Sequence, residues 1–245
     1  MRSLVFLLLF ATGVCVAGER QIFRSADTHV MLLELYTSEG CSSCPPADKW
    51  FRTLMDDPDL WRRVVPVALH VDYWNRLGWK DRFSDSRFSQ RQRAYADEWG
   101  TATVYTPAFV LDGERWRPSG QWKSPPVASS DTPGDLFAAV ESGRVSVRFE
   151  AGETGPAAVD AHVAVLGFGL ETRVSAGENR GRLLRHDFVA TVYRTVPLQG
   201  PGGGELHGSV DLSGAFEAGG RRALAVWVSP ENSPRPLQAV GGWLR

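Results

Sequence analysis

The stretch Val30-Met31-Leu32-Leu33-Glu34-Leu35-Tyr36, followed by Cys41-Ser42-Ser43-Cys44-Pro45, decides how this chain is read. An apolar run of strand length gives way to a helical pattern over Pro45 to Met55. A strand that delivers two cysteines, two residues apart, to a helix N-terminus suits thiol–disulfide chemistry. The unpaired N–H groups and partial positive charge of the helix end favour thiolate over thiol.

The third cysteine, Cys15, lies in a segment that reads as a secretory signal. Arg2 supplies the positive start, Leu4 to Val14 the apolar stretch, and Cys15-Val16-Ala17 a small-x-small cleavage site. Residues 1–17 are therefore expected to be removed, which places the mature protein in the periplasm or outside the cell. Lipid attachment at Cys15 is the alternative, and Val14 stands where that processing wants a small residue. Cleavage leaves two cysteines, both in the pair. A disulfide across so short a loop adds little chain-entropy stabilisation, so redox use is favoured over a structural staple. Zinc would need two more ligands. His29 and His70 do not have ligand spacing, and no metal or organic cofactor is expected.

The chain carries 27 basic and 28 acidic residues, a balance without the electrostatic footprint of a nucleic-acid binder. No segment after the signal is apolar enough to span a bilayer. Nine tryptophans lie mostly before residue 125, which points to an aromatic-rich core or groove in that half.

Two halves differ in pattern. Residues 27–143 alternate strand-like and helix-like segments: a strand at Val64 to Val71, a helix at Ser84 to Trp99, and a strand at Ala108 to Leu111 entering the turn Asp112-Gly113. A loop is expected over Arg117 to Pro133. A helix from Pro133 to Glu141, capped by Asp131 or Thr132 and stopped by Gly143, is expected next. Over 144–245 helical patterns vanish, and alternating segments at Val145–Phe149, His162–Leu166, Phe188–Val192, Leu206–Leu212 and Ala223–Val228 read as a β-sandwich-like domain. Gly202-Gly203-Gly204 reads as a loop between strands.

The first half resembles the thioredoxin fold in two places: Cys41-Ser42-Ser43-Cys44-Pro45 after a strand, and Thr106-Pro107 before the strand Ala108–Leu111. The resemblance implies an α/β thioredoxin-like domain followed by the all-β module. It further implies a cis Pro107 facing the cysteines, and a strand acid, here Glu34, that moves protons for the resolving cysteine. The stretches Glu34 to Asp48, His70 to Asp81, Gln90 to Tyr95, Val104 to Pro107 and Gly177-Glu178-Asn179-Arg180-Gly181 resemble an exported bacterial family known as domain of unknown function 1223. Gly40 stands before Cys41 where thioredoxins carry Trp, Ser42-Ser43 replaces Gly-Pro, and 66 residues separate Cys41 from Pro107.

The expected function is an exported thiol–disulfide oxidoreductase acting on protein thiols or disulfides. Cys41 attacks, Cys44 resolves, and Thr106 and Pro107 align the partner backbone. Ser42 and Ser43 either donate to the Cys41 sulfur or cap the helix. Glu34 is either a proton acceptor or a strand acid paired with an arginine. The charge of Glu39 would oppose a Cys41 thiolate unless it points away. His70 and Asp72 share a strand face, as a relay pair, as ligands or as packing groups. Tyr73, Trp74 and Trp79 either line a peptide groove or anchor the insertion. Glu178, Asn179 and Arg180 either join the two halves or reach the cysteines. The alternatives are a Cu(I)- or peptide-binding protein, and a non-catalytic scaffold with a structural disulfide.

Overall fold

All seven residues of Met31–Thr37 are buried, and so are all seven of Val64–His70. Continuous apolar runs of this length form central strands covered on both faces, and these two pair in parallel from Met31↔Val64 to Thr37↔His70. The computed structural model describes residues 19–26, 28–118, 133–152, 156, 158–200, 204–216 and 219–245. The expected signal segment with Cys15, the candidate caps Asp131 and Thr132, most of the expected Arg117–Pro133 loop, and Gly202-Gly203 lie outside the described residues.

The strands are β1 (Gln21–Arg24), β2 (Met31–Thr37), β3 (Val64–His70), β4 (Ala108–Leu111), β5 (Glu114–Trp116), β6 (Gly134–Glu141), β7 (Arg144–Ala151), β8 (Val159–Gly167), β9 (Leu170–Arg173), β10 (Leu183–His186), β11 (Val189–Leu198), β12 (Glu205–Asp211), β13 (Arg222–Pro230) and β14 (Gln238–Trp243). Among the described residues two α-helices, α1 (Pro45–Arg52) and α2 (Ser86–Glu98), accompany them. Pro45 and Pro46 open α1, where their missing N–H groups cost nothing. The Asp85 side chain caps α2 by accepting from the Arg87 N–H.

The expected α/β thioredoxin-like domain with an appended sandwich module is overturned. Among the described residues strand makes up 45% and helix 14%, and the main sheet runs through both halves. Its order is β14-β13-β8-β11-β3-β2-β4-β5, so four strands from beyond residue 158 continue the sheet begun by β2 to β5. The junction is β11 on β3. Val189 pairs in parallel with Ala68, and the Ala68 N–H donates to Phe188 O at 2.8 Å. An open β3 edge would leave buried backbone groups unpaired, and the start of β11 pairs that edge at Ala68. A second sheet, β1-β6-β7-β12, packs on one face of β8, β11, β13 and β14 around Val163, Val165, Leu224 and Val226. The other face turns Ala164, Leu166, Ala225 and Trp227 toward the core shared with β2, β3 and the helices.

The helix expected over Pro133 to Glu141 is strand β6. Leu136, Val140 and their neighbours fit helical and alternating spacing equally well, and tertiary pairing decides between them. Leu136 and Ala138 point inward, 0% and 1% exposed, and β6 pairs with β7 along its whole length. Gly143 is not a helix stop. Ser142 and Gly143 both have positive φ, 49° and 80°, the pattern of a type I′ hairpin turn. Asp112 and Gly113, at 48° and 82°, make the same turn between β4 and β5, as their dipeptide suggests. Among the described residues no helix is long and apolar enough to cross a membrane.

One buried ion pair fastens β2, α2 and the segment after β13. Arg91 Nε donates to Glu34 Oε1 at 2.6 Å, and its terminal nitrogen donates to Pro234 O at 2.8 Å. The Tyr95 hydroxyl lies 2.6 Å from Glu34 Oε2, and Tyr36 donates to Glu34 Oε1 at 3.0 Å. Removing one partner of such a pair strands a buried charge. Arg91→Met is expected to lower stability by about 3–5 kcal/mol, and Glu34→Gln together with Arg91→Met to recover part of that loss. Urea unfolding measures both, and a loss under about 1 kcal/mol for the single variant would refute the assignment.

Candidate functional site

The turn after β2 delivers the two cysteines to the start of α1, with Cys44 as the N-cap residue. Cys41 and Cys44 form a disulfide. Both are 0% exposed, while Ser42 and Ser43 between them face solvent. Cys41, the expected attacking sulfur, is therefore covered as completely as Cys44. Ser43 Oγ lies 3.3 Å from Cys41 Sγ, so this serine touches the sulfur, and no side chain caps α1. Gly40 precedes Cys41 because Trp74 packs there: a Cβ at Gly40 would sit 3.1 Å from Trp74 Cβ.

The segment leading into β4 forms one wall. The Thr106-Pro107 peptide bond is cis, and Thr106 O lies 3.7 Å from Cys41 Sγ. That contact can become a thiol hydrogen bond only in the reduced form, since a disulfide sulfur carries no proton. Trp74 Nε1 donates to Thr106 Oγ1 at 2.8 Å, and Gln92 Nε2 donates to Tyr105 O at 2.8 Å. The Tyr73 hydroxyl donates to Gln92 Oε1 at 3.2 Å, and burial pushes its pKa up to about 12. Tyr73 and Trp74 thus hold the Thr106-Pro107 wall in place.

Behind the disulfide lies a buried cluster of acids and imidazoles. His70 Nδ1 sits 2.6 Å from Asp81 Oδ2, both side chains fully buried. Asp72 belongs elsewhere: it accepts from Ser89 Oγ on α2 at 2.5 Å, so His70 and Asp72 do not form the pair their spacing suggests. Glu39 does point away from Cys41. Its Oε2 accepts from Trp79 Nε1 at 2.8 Å, and its Oε1 lies 3.3 Å from His186 Nε2. Burial opposes its ionisation, but His186, Thr172 and Trp79 hold the Glu39 carboxyl below its usual range. His186 also lies 3.7 Å from Asp48 Oδ2, and its ring meets that of His70 at 5.0 Å. Asp48 accepts from Thr37 Oγ1 at 2.9 Å, and burial pushes its carboxyl up. Among the described residues no group of three or more His, Cys, Asp and Glu is placed to hold a metal ion.

Asp48, Asp81 and His186 were not singled out as sequence candidates. One signal was available for Asp48: four residues after Cys44 on a helix, it shares that residue's face. No sequence pattern links His186, on β10, to a turn near residue 40. Glu34 is buried in its ion pair with Arg91, and none of its hydrogen bonds reaches the disulfide.

The stretch Gly177-Glu178-Asn179-Arg180-Gly181 lies in the connection between β9 and β10 and contacts the cysteine loop. Asn179, fully buried, donates from Nδ2 to both Glu39 O and Cys41 O at 2.9 Å. Glu178 Oε2 accepts from the Ser42 N–H at 3.0 Å. Concavities of about 760, 530 and 430 Å³ lie elsewhere, and neither cysteine lines them.

The profile of the protein family of unknown function DUF1223 matches residues 32–229, and the chain belongs to that family. The crystal structure of protein AGR_C_4864 from Agrobacterium tumefaciens is similar at a TM-score of 0.62 and 24% identity, over 89% of this chain and 96% of that one. HBP35 of Porphyromonas gingivalis is similar at a TM-score of 0.54 and 13% identity, over 90% of this chain and 76% of that one. At these identities the likeness extends to the fold alone. No curated protein matches the chain.

The His70–Asp81 pair makes stability depend on pH. Burial alone would push the His70 imidazole down, but Asp81 outweighs it and holds it above its usual value. Burial likewise opposes Asp81, while His70 and the Glu39 and Phe83 N–H groups hold it below its usual value. The histidine's contribution is full below the unfolded value of 6.5 and is lost as pH rises through the raised folded value. The aspartate's is full above 3.8 and is lost as pH falls through the depressed folded value. The stability difference between wild type and Asp81→Asn is therefore expected to peak between about pH 4 and 6.5. Urea midpoints across pH measure it, and a flat difference would contradict an ionised pair.

Proposed function

We propose that this member of the DUF1223 family is an exported thiol–disulfide oxidoreductase acting on protein partners through Cys41 and Cys44. One observation carries the reading. The Cys41–Cys44 disulfide stands at the N-terminus of α1 with the Thr106 carbonyl 3.7 Å from the Cys41 sulfur. A helix N-terminus favours thiolate, and a short disulfide loop has little structural purpose.

In the proposed cycle the Cys41 thiolate attacks a partner disulfide. A Cys41–partner bond forms, and the other partner sulfur leaves as thiolate and takes a proton from water. Cys44 then loses its proton and attacks Cys41 Sγ. The Cys41–Cys44 bond forms, and the second partner sulfur leaves. Run in reverse, the same steps oxidise a partner dithiol. Cys44 is buried and its proton needs a buried acceptor. Asp48 suits that role: it is one helical turn away, on the same face, and burial pushes its carboxyl up. Glu34, already occupied by Arg91, does not. Thr106 and Pro107 align the partner backbone, with Trp74 and Tyr73 holding them. His70 serves as the partner of Asp81 behind the site.

Cys44→Ser is expected to accumulate a mixed disulfide on Cys41, seen by mass spectrometry. The wild-type reduction potential is expected between about −270 and −120 mV by glutathione or dithiothreitol titration in metal-free buffer. A potential well below about −300 mV, with no trapped partner, would make the bond structural and end this reading.

A further inference from the structure

Glu178 brings a carboxylate from the second half of the chain to the residue next to Cys41. Its Oε2 accepts from the Ser42 N–H at 3.0 Å. That amide belongs to the short connection between the cysteines, beside the sulfur that contacts Ser43 and Thr106. The carboxylate is held there by a built turn. Asn179 anchors it through its two bonds to Glu39 O and Cys41 O, and Arg182 donates to Asn179 Oδ1 at 3.0 Å. Gly177 and Gly181 supply the positive φ angles, 72° and 84°, that shape the loop. Glu178 is exposed, and its bonds to Ser42 hold its carboxyl below the usual range, so the charge is present at neutral pH.

A fixed negative charge here works against the start of α1. The helix end stabilises a Cys41 thiolate, and the Glu178 carboxylate opposes it. The same charge acts on whatever approaches the sulfur. The other acid nearest the cysteines in sequence, Glu39, is turned inward toward Trp79 and His186 and does not share this role.

We propose that Glu178 determines the partner specificity of Cys41, disfavouring anionic thiols and disulfides relative to neutral and cationic ones, and restrains formation of the Cys41 thiolate. This rests on reading Cys41 as the attacking sulfur. The class of partner it favours is a cysteine flanked by basic residues, and the class it disfavours is an anionic thiol such as glutathione. Glu178 acts by its charge, on Cys41 and on the approaching partner, and takes no part in the bond changes.

The test uses protein carrying Cys15→Ser and Cys44→Ser, in which Cys41 is the single free thiol, with and without Glu178→Gln. Glutamine keeps an oxygen acceptor for the Ser42 N–H and removes only the charge. Alkylation of Cys41 by neutral iodoacetamide and anionic iodoacetate is followed against pH and salt. In each case the sulfur bonds to the CH2 carbon and iodide leaves. Glu178→Gln is expected to lower the Cys41 pKa by about half a unit and to raise the iodoacetate-to-iodoacetamide rate ratio about threefold, with both effects shrinking toward 1 M salt. An unchanged pKa and ratio would overturn the proposal. So would failure of Cys41 to react with either reagent in the folded protein. The wild-type potential is a separate measurement. A structural potential with the expected alkylation shifts ends the oxidoreductase reading and leaves the electrostatic role of Glu178 standing.

Discussion

The pairing of β11 with β3 is the constraint on which the rest of the molecule depends. It is a short contact, Val189 opposite Ala68 with the Ala68 N–H on Phe188 O, yet it turns two stretches of chain into one sheet. Phe188 has φ 59°, a left-handed backbone that costs a bulky residue about 1–3 kcal/mol. Its ring is completely buried against Phe51, Trp61 and Phe168. Burying a phenylalanine contributes about 1.5–3 kcal/mol, and each aromatic contact adds about 0.5–1.5, so packing outweighs the strain. The junction holds because the residue that makes the awkward turn also fills the core between the halves.

Everything distinctive about the cysteine site follows from that junction. β10 ends at His186, two residues before Phe188, and so His186 is carried to Glu39 and Asp48. The connection from β9 to β10 brings Asn179 and Glu178 onto the cysteine loop. The loop is therefore held from three sides: by Thr106 and Trp74, by the acid–imidazole cluster beneath, and by the turn from the second half. A free cysteine loop on an exposed helix end would lack the last two.

The buried charges show how the chain manages the cost of polarity in its interior. Isolated, an ionised carboxylate would be expensive there. Glu34 is met by Arg91 and two tyrosines, and Asp81 by His70 and two N–H groups. Asp48 is less well compensated, with one hydroxyl and an imidazole at 3.7 Å. That asymmetry separates the closely paired acids from Asp48, the acid on which the proposed proton transfer rests.

The sequence by itself determined the local elements whose signals are short-range. The strand–cysteine–helix handover, the prolines opening α1, the helix over most of Ser84–Trp99, the Asp112-Gly113 turn and the alternating strands after residue 144 all depend on residues within a turn or two of each other. It also carried the family, through long shared strings such as Glu34 to Asp48. The tertiary structure alone decided what depends on pairing at a distance. Leu136 to Val140 satisfied two periodicities, and the edge of β7 chose strand. The alternating strands of the second half read as a separate sandwich, and the edge of β3 joins four of them, β8, β11, β13 and β14, to the sheet of the first half. His70 seemed to belong with Asp72 by spacing, yet the fold gave it Asp81, and Glu34 received Arg91 from a helix 57 residues away. A hydrogen-bond partner is chosen by position in space, and that position exists only once the sheet has closed.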